Sequence, residues 1–223
     1  MLLSKRLLAS AKYLKGFNCL ADCGTDHGFL PIYAVKNNLV NKAIASDNKQ
    51  YPLDNAKANI HNEDLDSRIK IILADGLPYL NEDIDIASIL GMGGRLISDI
   101  LKKADKSNLK RLVLGPNSEC YVLRKHLIEN NYKIIAEDIV KDNKKYYQII
   151  VAEPGIMKLS ETELEFGPFI IKENSPIFKE FITKLILQLT KALPKVKKEL
   201  EINKMKNRIN ALKEVIHELS WSN

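Results

Sequence analysis

The stretch Leu20–Pro31, LADCGTDHGFLP, is the part of the sequence that best indicates the fold. An apolar run ends at Asp22, and a loop rich in glycine and charge follows before the next helical pattern begins. An apolar strand that passes through such a loop into a helix is typical of the ligand-binding edge of an open α/β sheet. The loop residues leave three kinds of site open, namely a metal site, a phosphate loop and a pocket for another small molecule: Gly24, Asp26, His27 and Gly28.

The sequence on either side of this loop repeats the same strand–helix rhythm. An amphipathic helix near residues 4–14 comes first, and then five short apolar runs each precede a helical segment or a turn. The segment YKIIAEDIVKDNKKYYQIIVAE differs, because its two apolar runs are joined by the turn KDNKK and predict an antiparallel hairpin. Apolar strands without alternation predict a parallel sheet covered on both faces. The predicted fold class is therefore α/β, with a mostly parallel sheet and an antiparallel hairpin at one edge.

The character of the chain changes near Pro154–Gly155. From Ser175 onwards the pattern predicts two helices broken at Pro194, with Ser175 as N-cap and Pro176 in the first turn. Apolar residues recur three to five positions apart in both helices, which favours an antiparallel coiled-coil hairpin. We therefore expect two domains, residues 1–155 and residues 156–223.

Composition narrows the class of protein. The 223 residues are 45% hydrophobic and 28% charged, as in ordinary globular proteins, and no apolar run approaches the ~20 residues of a membrane span. The N-terminus lacks the features of a signal peptide, so we expect a cytoplasmic protein. We also expect it to act as a monomer. The net charge of +6 permits a polyanionic partner. Three cysteines without paired spacing predict reduced thiols: Cys19, Cys23 and Cys120.

The charge of the loop argues against a phosphate site, and the spacing of the histidines argues against a metal site. A carboxylate at Asp26 would repel a pyrophosphate by about 1 kcal/mol at 4 Å even in bulk water, which disfavours a dinucleotide. A metal is also disfavoured, because the other histidines (His61, His126 and His217) are scattered along the chain. The acid instead suits a positively charged ligand, and S-adenosylmethionine (SAM) carries a sulfonium and an ammonium without any phosphate.

The ends of three further strands carry residues that the other parts of SAM need. Asp47 ends the second strand, where an acid can accept hydrogen bonds from ribose hydroxyls. Asp75–Gly76 follows the third strand, where an acceptor could receive the adenine amino group, and the glycines of GMGG (residues 91–94) follow the fourth. Each feature also has a structural reading, with Asp22 as a helix cap, Asp75 and GMGG as turns and His27 as a hydrogen-bonded structural residue. Their joint occurrence at four consecutive strand ends favours the SAM reading.

Six motifs in the chain together resemble one family. The segments LSKRLLASAKYL, LADCGTDHGFLPIYAV, ILADGL, ILGMGGRLI, LGPN and GPFIIKEN are similar to those of the bacterial tRNA (adenine-22-N1)-methyltransferases, the TrmK family. The resemblance implies a class I, Rossmann-like methyltransferase fold, SAM as cofactor and tRNA as substrate, methylated at N1 of an adenine in the D-arm region. The implied cofactor-binding residues, with their neighbours, are Asp22, Gly24, Asp26, His27, Gly28, Asp47, Asn48, Asp75, Gly76, Gly91, Met92 and Gly93.

The sequence departs from the family pattern at three positions. Asp47 stands where many relatives have glutamate, and Thr25 stands where serine is usual. Gly115 precedes Pro116–Asn117 in place of a glutamine, which removes a polar contact near the target base.

Methylation at N1 of adenine indicates which side chains the chemistry needs. This nitrogen is buried in Watson–Crick pairs, so the base must be unpaired or flipped into the pocket. The product is cationic, and a carboxylate beside it would be stabilising. The predicted catalytic residues are Asp26 for charge, His27 as its helper and Asn117 to hold the adenine edge, although Asn117 also fits a plain turn role.

Binding of tRNA requires contacts to phosphates. Two basic groups are predicted to supply them, although each could also be only a solvated surface: Lys5, Arg6 and Lys12 near the N-terminus, and Lys195, Lys197, Lys198, Lys204, Lys206 and Arg208 in the C-terminal helices. Three other functions stay open at this point. They are a methyltransferase acting on another RNA, DNA, protein or small molecule, an inactive RNA-binding module with the same fold, and, more remotely, an NAD-dependent oxidoreductase.

Overall fold

The protein is described by a computed structural model that covers residues 3–78, 80 and 83–221, with side chains up to residue 217. Within these residues, seven strands form one sheet in the order β3-β2-β1-β4-β5-β7-β6. The strands are β1 Phe17–Cys23, β2 Val40–Asp47, β3 Ile69–Leu73, β4 Ile86–Leu90, β5 Arg111–Gly115, β6 Tyr132–Asp142 and β7 Lys145–Pro154.

The pairing of the strands confirms the predicted sheet. The first five strands are parallel to one another, and β7 runs antiparallel to both β5 and β6. The turn of the edge hairpin is tighter than the predicted segment KDNKK, since only Asn143 and Lys144 lie between the strands. Both have positive φ, 46° and 66°, as a two-residue hairpin turn requires.

Nine α-helices lie in the described residues, and the first five correspond to the predicted helical segments. Helix α6 was not predicted. It is short and depends on a capping box in which Ser160 and Glu163 satisfy each other's backbone N–H groups. The helices are α1 Lys5–Ala11, α2 Phe29–Lys36, α3 Gln50–Asn62, α4 Gly94–Lys103, α5 Cys120–Glu129, α6 Glu161–Phe166, α7 Pro168–Glu173, α8 Pro176–Ala192 and α9 Glu199–Trp221.

The strand order reverses direction between β1 and β4. Right-handed crossovers then place α2 and α3 on one face of the sheet and α4 on the opposite face, because the chain moves outward from the centre in opposite directions. Leu20, Ile32 and Ile86 are fully buried in the core between these layers. The reversal creates a crevice at the carboxyl ends of β1 and β4, which is where ligands bind in such sheets.

The chain divides into two compact units, Met1–Pro168 and Phe169–Asn223. The second contains α8, a short 3₁₀ helix at Leu193–Lys195 and α9, and α8 contacts α9. The Ser175 hydroxyl accepts from the Phe178 N–H and caps α8, as the sequence predicted.

The division falls after Pro168 rather than after residue 155. Helix α6 lies in the first unit, where the Arg124 side chain in α5 donates hydrogen bonds to the backbone oxygens of Leu164 and Glu165. No helix in the described parts of either unit is long and apolar enough to cross a membrane.

Candidate functional site

Asp22 lies at the crevice, near the carboxyl end of β1, and is only 4% exposed. Its carboxylate accepts a 2.5 Å hydrogen bond from the Ser88 hydroxyl in β4. Burial raises the pKa of Asp22, and the hydrogen bond from Ser88 opposes that rise. The alternative role as a helix cap is wrong, because the N-cap of α2 is Gly28 and has no side-chain cap. The sequence analysis did not identify Ser88. What could have indicated it is a single polar residue inside an otherwise apolar strand.

The loop after β1 is fixed through its backbone. The N–H groups of Gly24 and Thr25 both donate to the Ser46 carbonyl in β2, at 2.9 Å each. From the other side, the Asn59 side chain in α3 donates to the His27 carbonyl at 2.9 Å. The loop is therefore held between β2 and α3, and sequence reasoning did not identify the role of Asn59.

Asp26 and His27 lie together on the outer side of this loop. Asp26 has φ +54°, an unusual conformation for a residue with a side chain. The His27 Nε2 atom is 3.6 Å from the Asp26 carboxylate, and both side chains are exposed. The His27 ring stacks on Phe29 with centroids 5.2 Å apart. The two predicted catalytic residues thus form an exposed pair at the edge of the cavity described below.

The acids at the ends of β1, β2 and β3 converge. The strand register pairs Asp22 with Ala45 and Asp47 with Leu73, so the three acids follow neighbouring parallel strands. Burial, and then the negative charges of Asp22, Asp47 and Asp75, raise the pKa of the Cys23 thiol to about 12. Asp75 is exposed, and one carboxylate oxygen of Asp47 accepts from the Lys49 N–H at 3.1 Å. The carboxyl edge of the sheet is therefore strongly negative at this point.

The GMGG segment joins β4 to α4 beside the loop. Gly24 has φ +75°, a conformation that favours glycine, and a Cβ there would lie 2.4 Å from the Met92 methyl group, which would have to move. Asn117, which follows β5, holds this segment in place. Its side chain donates to the Gly91 carbonyl at 2.5 Å, and its backbone N–H donates to the Met92 carbonyl at 2.8 Å. The turn role of Asn117 is thus present, and its amide keeps one N–H and acceptor capacity for a ligand.

A cavity of about 300 Å³ opens between α1 and the loop after β1. It brings together four of the predicted cofactor-binding residues, Asp22, Gly24, Asp26 and His27, with side chains that were not predicted for this role. These additional residues are Ser4, Arg6, Leu7, Thr25, Phe29, Leu30 and Leu90.

The other predicted cofactor residues are not among those that line this cavity. Asp75 and Gly76 line a second cavity of about 230 Å³ against α4. Asn48 is exposed just after β2, and Gly93 is the N-cap of α4 and pairs with Ser118.

The structure separates the three basic residues predicted near the N-terminus. Lys5 is exposed, Arg6 lines the cavity and the Lys12 ammonium pairs with Asp138 at 3.3 Å. In the second unit, Arg208 is half-buried and burial lowers its pKa, whereas five lysines are exposed on the 3₁₀ helix, the following segment and α9: Lys195, Lys197, Lys198, Lys204 and Lys206.

The described residues contain neither a cluster of metal ligands nor a disulfide bond. No group of three or more His, Cys, Asp or Glu side chains among them could hold a metal ion. The three cysteines are free thiols, and Cys19 and Cys23 are buried as predicted.

Comparison with known proteins identifies the family. The family model described as TrmK, tRNA (adenine(22)-N(1))-methyltransferase, matches residues 20–220. The tRNA (adenine(22)-N(1))-methyltransferase of Bacillus subtilis is 32% identical over 96% of this chain and 97% of its own length.

Solved structures agree with this match. A Streptococcus pneumoniae protein in complex with S-adenosyl-L-methionine superposes with a TM-score of 0.91 at 36% identity, covering 97% of this chain and 100% of that one. M. capricolum TrmK in complex with S-adenosyl-homocysteine superposes with a TM-score of 0.88 at 31% identity, covering 97% and 99%. The predicted Rossmann-like methyltransferase fold is thereby confirmed, and the chain belongs to the TrmK family of tRNA (adenine(22)-N(1))-methyltransferases.

Proposed function

We propose that this protein transfers a methyl group from SAM to N1 of adenine 22 in tRNA. The observation that carries the proposal is the placement of Asp22, Asp47 and Asp75 at or just after the carboxyl ends of three neighbouring parallel strands. Such an edge attracts a cationic cofactor and repels a pyrophosphate, which also argues against NAD. Family membership and relatives solved with SAM or its product support the same reading.

The residues present fit the parts of this cofactor. Asp47 would hold the ribose hydroxyls, Asp75 the adenine amino group, and Asp22 with the loop after β1 the amino acid end. The chemistry that SAM supplies is a sulfonium-bound methyl group, whose S–C bond breaks with the electron pair kept on sulfur as the N1–C bond forms. Positive charge then lies on the adenine, which is why a carboxylate near the base matters.

Asp26 and His27 are proposed to meet the target adenine, because their exposed pair lies at the outer side of the loop. The Asp26 carboxylate would stabilise the cationic product, and His27 with its stacked partner Phe29 would offer an aromatic face to the flipped base. Asn117 would hold GMGG in place and present its free amide N–H to the adenine edge. The lone pair of N1 attacks directly, so positioning supplies much of the rate enhancement.

Contact with the tRNA backbone is assigned to the lysines of the second unit. Lys197 and Lys198 are exposed in the segment that leads into α9, and Lys204 and Lys206 are exposed on α9 itself. Exposed lysines without a buried partner are suited to phosphates, because they release counterions when they bind. With tRNA as substrate, we place the activity in the cytoplasm.

The test is to locate the modified nucleoside. Purified protein is incubated with a tRNA transcript and tritiated SAM, and the digested RNA is analysed by mass spectrometry. The expected product is N1-methyladenosine at position 22, absent from a transcript that carries guanine there. In the same assay with saturating SAM, Asp26→Ala is expected to lower the single-turnover rate by about 100-fold or more.

Three results would overturn parts of this proposal. Methylation at another position, or of DNA, would show a methyltransferase with a different substrate. Absence of SAM binding would favour an inactive RNA-binding module. A near-normal single-turnover rate for Asp26→Ala would remove that residue from the catalytic group and leave the substrate assignment intact.

A further inference from the structure

The β6–β7 hairpin extends beyond the neighbouring strand at the carboxyl edge of the sheet. The pairing of β7 with β5 begins at Ile150, which lies opposite Leu114 near the carboxyl end of β5. Strand β7 itself begins earlier, at Lys145, where it already pairs with β6. The part of β7 before Ile150 spans about 17 Å at the usual rise of a strand. The hairpin tip, which we define as residues 141–147, therefore projects on the edge of the sheet that carries the site.

Helix α1 holds this hairpin beside the cavity. The Tyr13 hydroxyl and the Lys12 ammonium both donate to the Asp138 carboxylate in β6, at 3.1 Å and 3.3 Å. Nearer the turn, the Arg6 guanidinium lies over the Tyr147 ring, 5.2 Å from its centroid. Arg6 also lines the cavity between α1 and the loop after β1. The hairpin tip is thus joined to the rim of the cavity through one side chain.

The hairpin tip is basic and aromatic. Its three lysines, Lys141, Lys144 and Lys145, and one acid, Asp142, give it a net charge of +2. Lys144 and Lys145 are exposed, and the Lys141 ammonium lies 5.8 Å from the centroid of the Tyr146 ring. Lysines interleaved with aromatic rings are suited to a nucleic-acid strand, because they contact its phosphates and its bases.

Charge is segregated along the carboxyl edge of the sheet. Asp22, Asp47 and Asp75 lie at or just after the ends of β1, β2 and β3, towards one end of the strand order. The hairpin tip belongs to β7 and β6, at the other end. RNA is repelled by the first group of charges and attracted by the second. A strand whose adenine enters the cavity therefore places its neighbouring phosphates most favourably on the side of the hairpin tip.

The turn of the hairpin makes this charge separable from the stability of the fold. Asn143 and Lys144 have φ values of 46° and 66°. Glycine is the residue that such a two-residue turn favours at its second position, because a side chain is strained at positive φ. Replacement of Lys144 by glycine therefore removes a positive charge and relieves the backbone at the same time.

We propose that the hairpin tip binds the phosphate backbone of the tRNA next to the target adenine, through Lys141, Lys144 and Lys145. This inference rests on the proposed function. It adds to the lysines of the second unit a contact made by the unit that carries the site.

The experiment uses the full-length protein, a tRNA transcript with adenine at position 22 and saturating SAM. Single-turnover methylation is measured against tRNA concentration at several salt concentrations. The double variant Lys144→Gly, Lys145→Gln is expected to need about 5- to 20-fold more tRNA for half-saturation at low salt, and to lose about 1.5 to 2 from the slope of log affinity against log salt. Its SAM affinity should not change, and its Tm should not fall.

Neutral methylphosphonates show where on the tRNA this contact lies. One is placed in turn at each phosphate within about three nucleotides of adenine 22, where it removes one charge from the backbone. At the phosphate that the hairpin tip binds, the substitution should weaken wild-type binding and leave binding by the double variant unchanged. Equal losses for both proteins at every position would overturn the inference.

The matched control is Lys15→Gln with Lys133→Gln, which removes two exposed lysines at the opposite, amino-terminal edge of the sheet. It should resemble the wild type, and an equal loss in both double variants would overturn the inference in favour of net charge alone. Lys144→Arg with Lys145→Arg keeps the charge and should also bind as the wild type does. A loss there equal to that of the neutral variant would show a structural effect and reject the phosphate contact. If the wild type itself methylated no tRNA, the proposed function would fail, whereas normal half-saturation by the neutral variant would sink only this inference.

Discussion

At the scale of single residues, Asp22 shows what the sequence can and cannot predict. The sequence predicted a binding site there, because Asp22 ends one strand and acidic residues also follow the next two strands. Its burial and its hydrogen bond from Ser88 depend on the packing of β1 against β4, which are separated by about 60 residues and by two other strands in the chain. Arg6 was assigned to tRNA for the same reason, since the sequence does not reveal that α1 packs beside the crevice.

The raised pKa of Asp22 predicts a stability effect that depends on pH. Above this pKa, the folded protein holds a desolvated carboxylate, so Asp22→Asn is expected to raise the apo-protein Tm at pH 7 by about 2 to 4 °C, or ~1 kcal/mol. The gain should shrink as pH falls through the folded-state pKa, and should vanish below the unfolded value of about 3.9, where the wild-type group is protonated in both states. Calorimetric melting between pH 7 and about pH 3 measures it.

Asp26→Asn is the control for this prediction, because Asp26 is exposed and its replacement should change the Tm little at any pH. A lower Tm for Asp22→Asn at pH 7 would contradict the idea that burial of the charge is unfavourable. Asp22→Asn should also bind SAM about tenfold more weakly. The carboxylate that destabilises the ligand-free protein would face the ammonium of the bound ligand.

At the scale of elements, the periodicity of apolar residues predicted every strand and the first five helices, because these elements bury a continuous apolar face. Helices α6 and α7 have too few turns to produce such a pattern. Besides its capping box, α6 is held by Arg124, whose side chain is fully buried. Arg124 donates to Glu137 at 2.7 Å, to Gln148 at 2.6 Å and to two α6 carbonyls. A buried arginine cannot be distinguished from a surface one by periodicity alone.

Arg124 is therefore predicted to be a major determinant of stability. Arg124→Met would remove the guanidinium that pairs with the buried Glu137 carboxylate and donates to two carbonyl groups, at a cost of about 3 to 5 kcal/mol and a Tm lower by ~6 to 20 °C. The neighbouring exposed Lys125→Met serves as control and should change the Tm little. Adding Glu137→Gln to Arg124→Met should cost less than the sum of the two single effects, and additive effects in thermal melts would show that the pair is not coupled.

At the scale of the whole molecule, the site and the larger group of proposed RNA contacts lie in different units. The cavity and the converging acids belong to Met1–Pro168, whereas the cluster of exposed lysines belongs to Phe169–Asn223. A negative crevice attracts the cationic cofactor but repels RNA, so phosphate contacts are better supplied outside it, mainly by a second, basic unit. The lysine cluster could be found from the sequence because its members lie close together in the chain, whereas its contact with tRNA stays a prediction.

Reversing three charges in the second unit tests this division. The triple variant Lys197→Glu, Lys198→Glu and Lys204→Glu should weaken tRNA binding by at least tenfold at low salt and reduce the slope of log affinity against log salt by about 2 to 3, because each lost phosphate contact removes about one released counterion. SAM affinity should not change. The matched control reverses Lys15, Lys70 and Lys133, three exposed lysines near the opposite, amino-terminal edge of the sheet. Equal loss of tRNA binding in both triple variants would show that net charge alone attracts the RNA, whereas a selective loss places the tRNA backbone on the C-terminal helices.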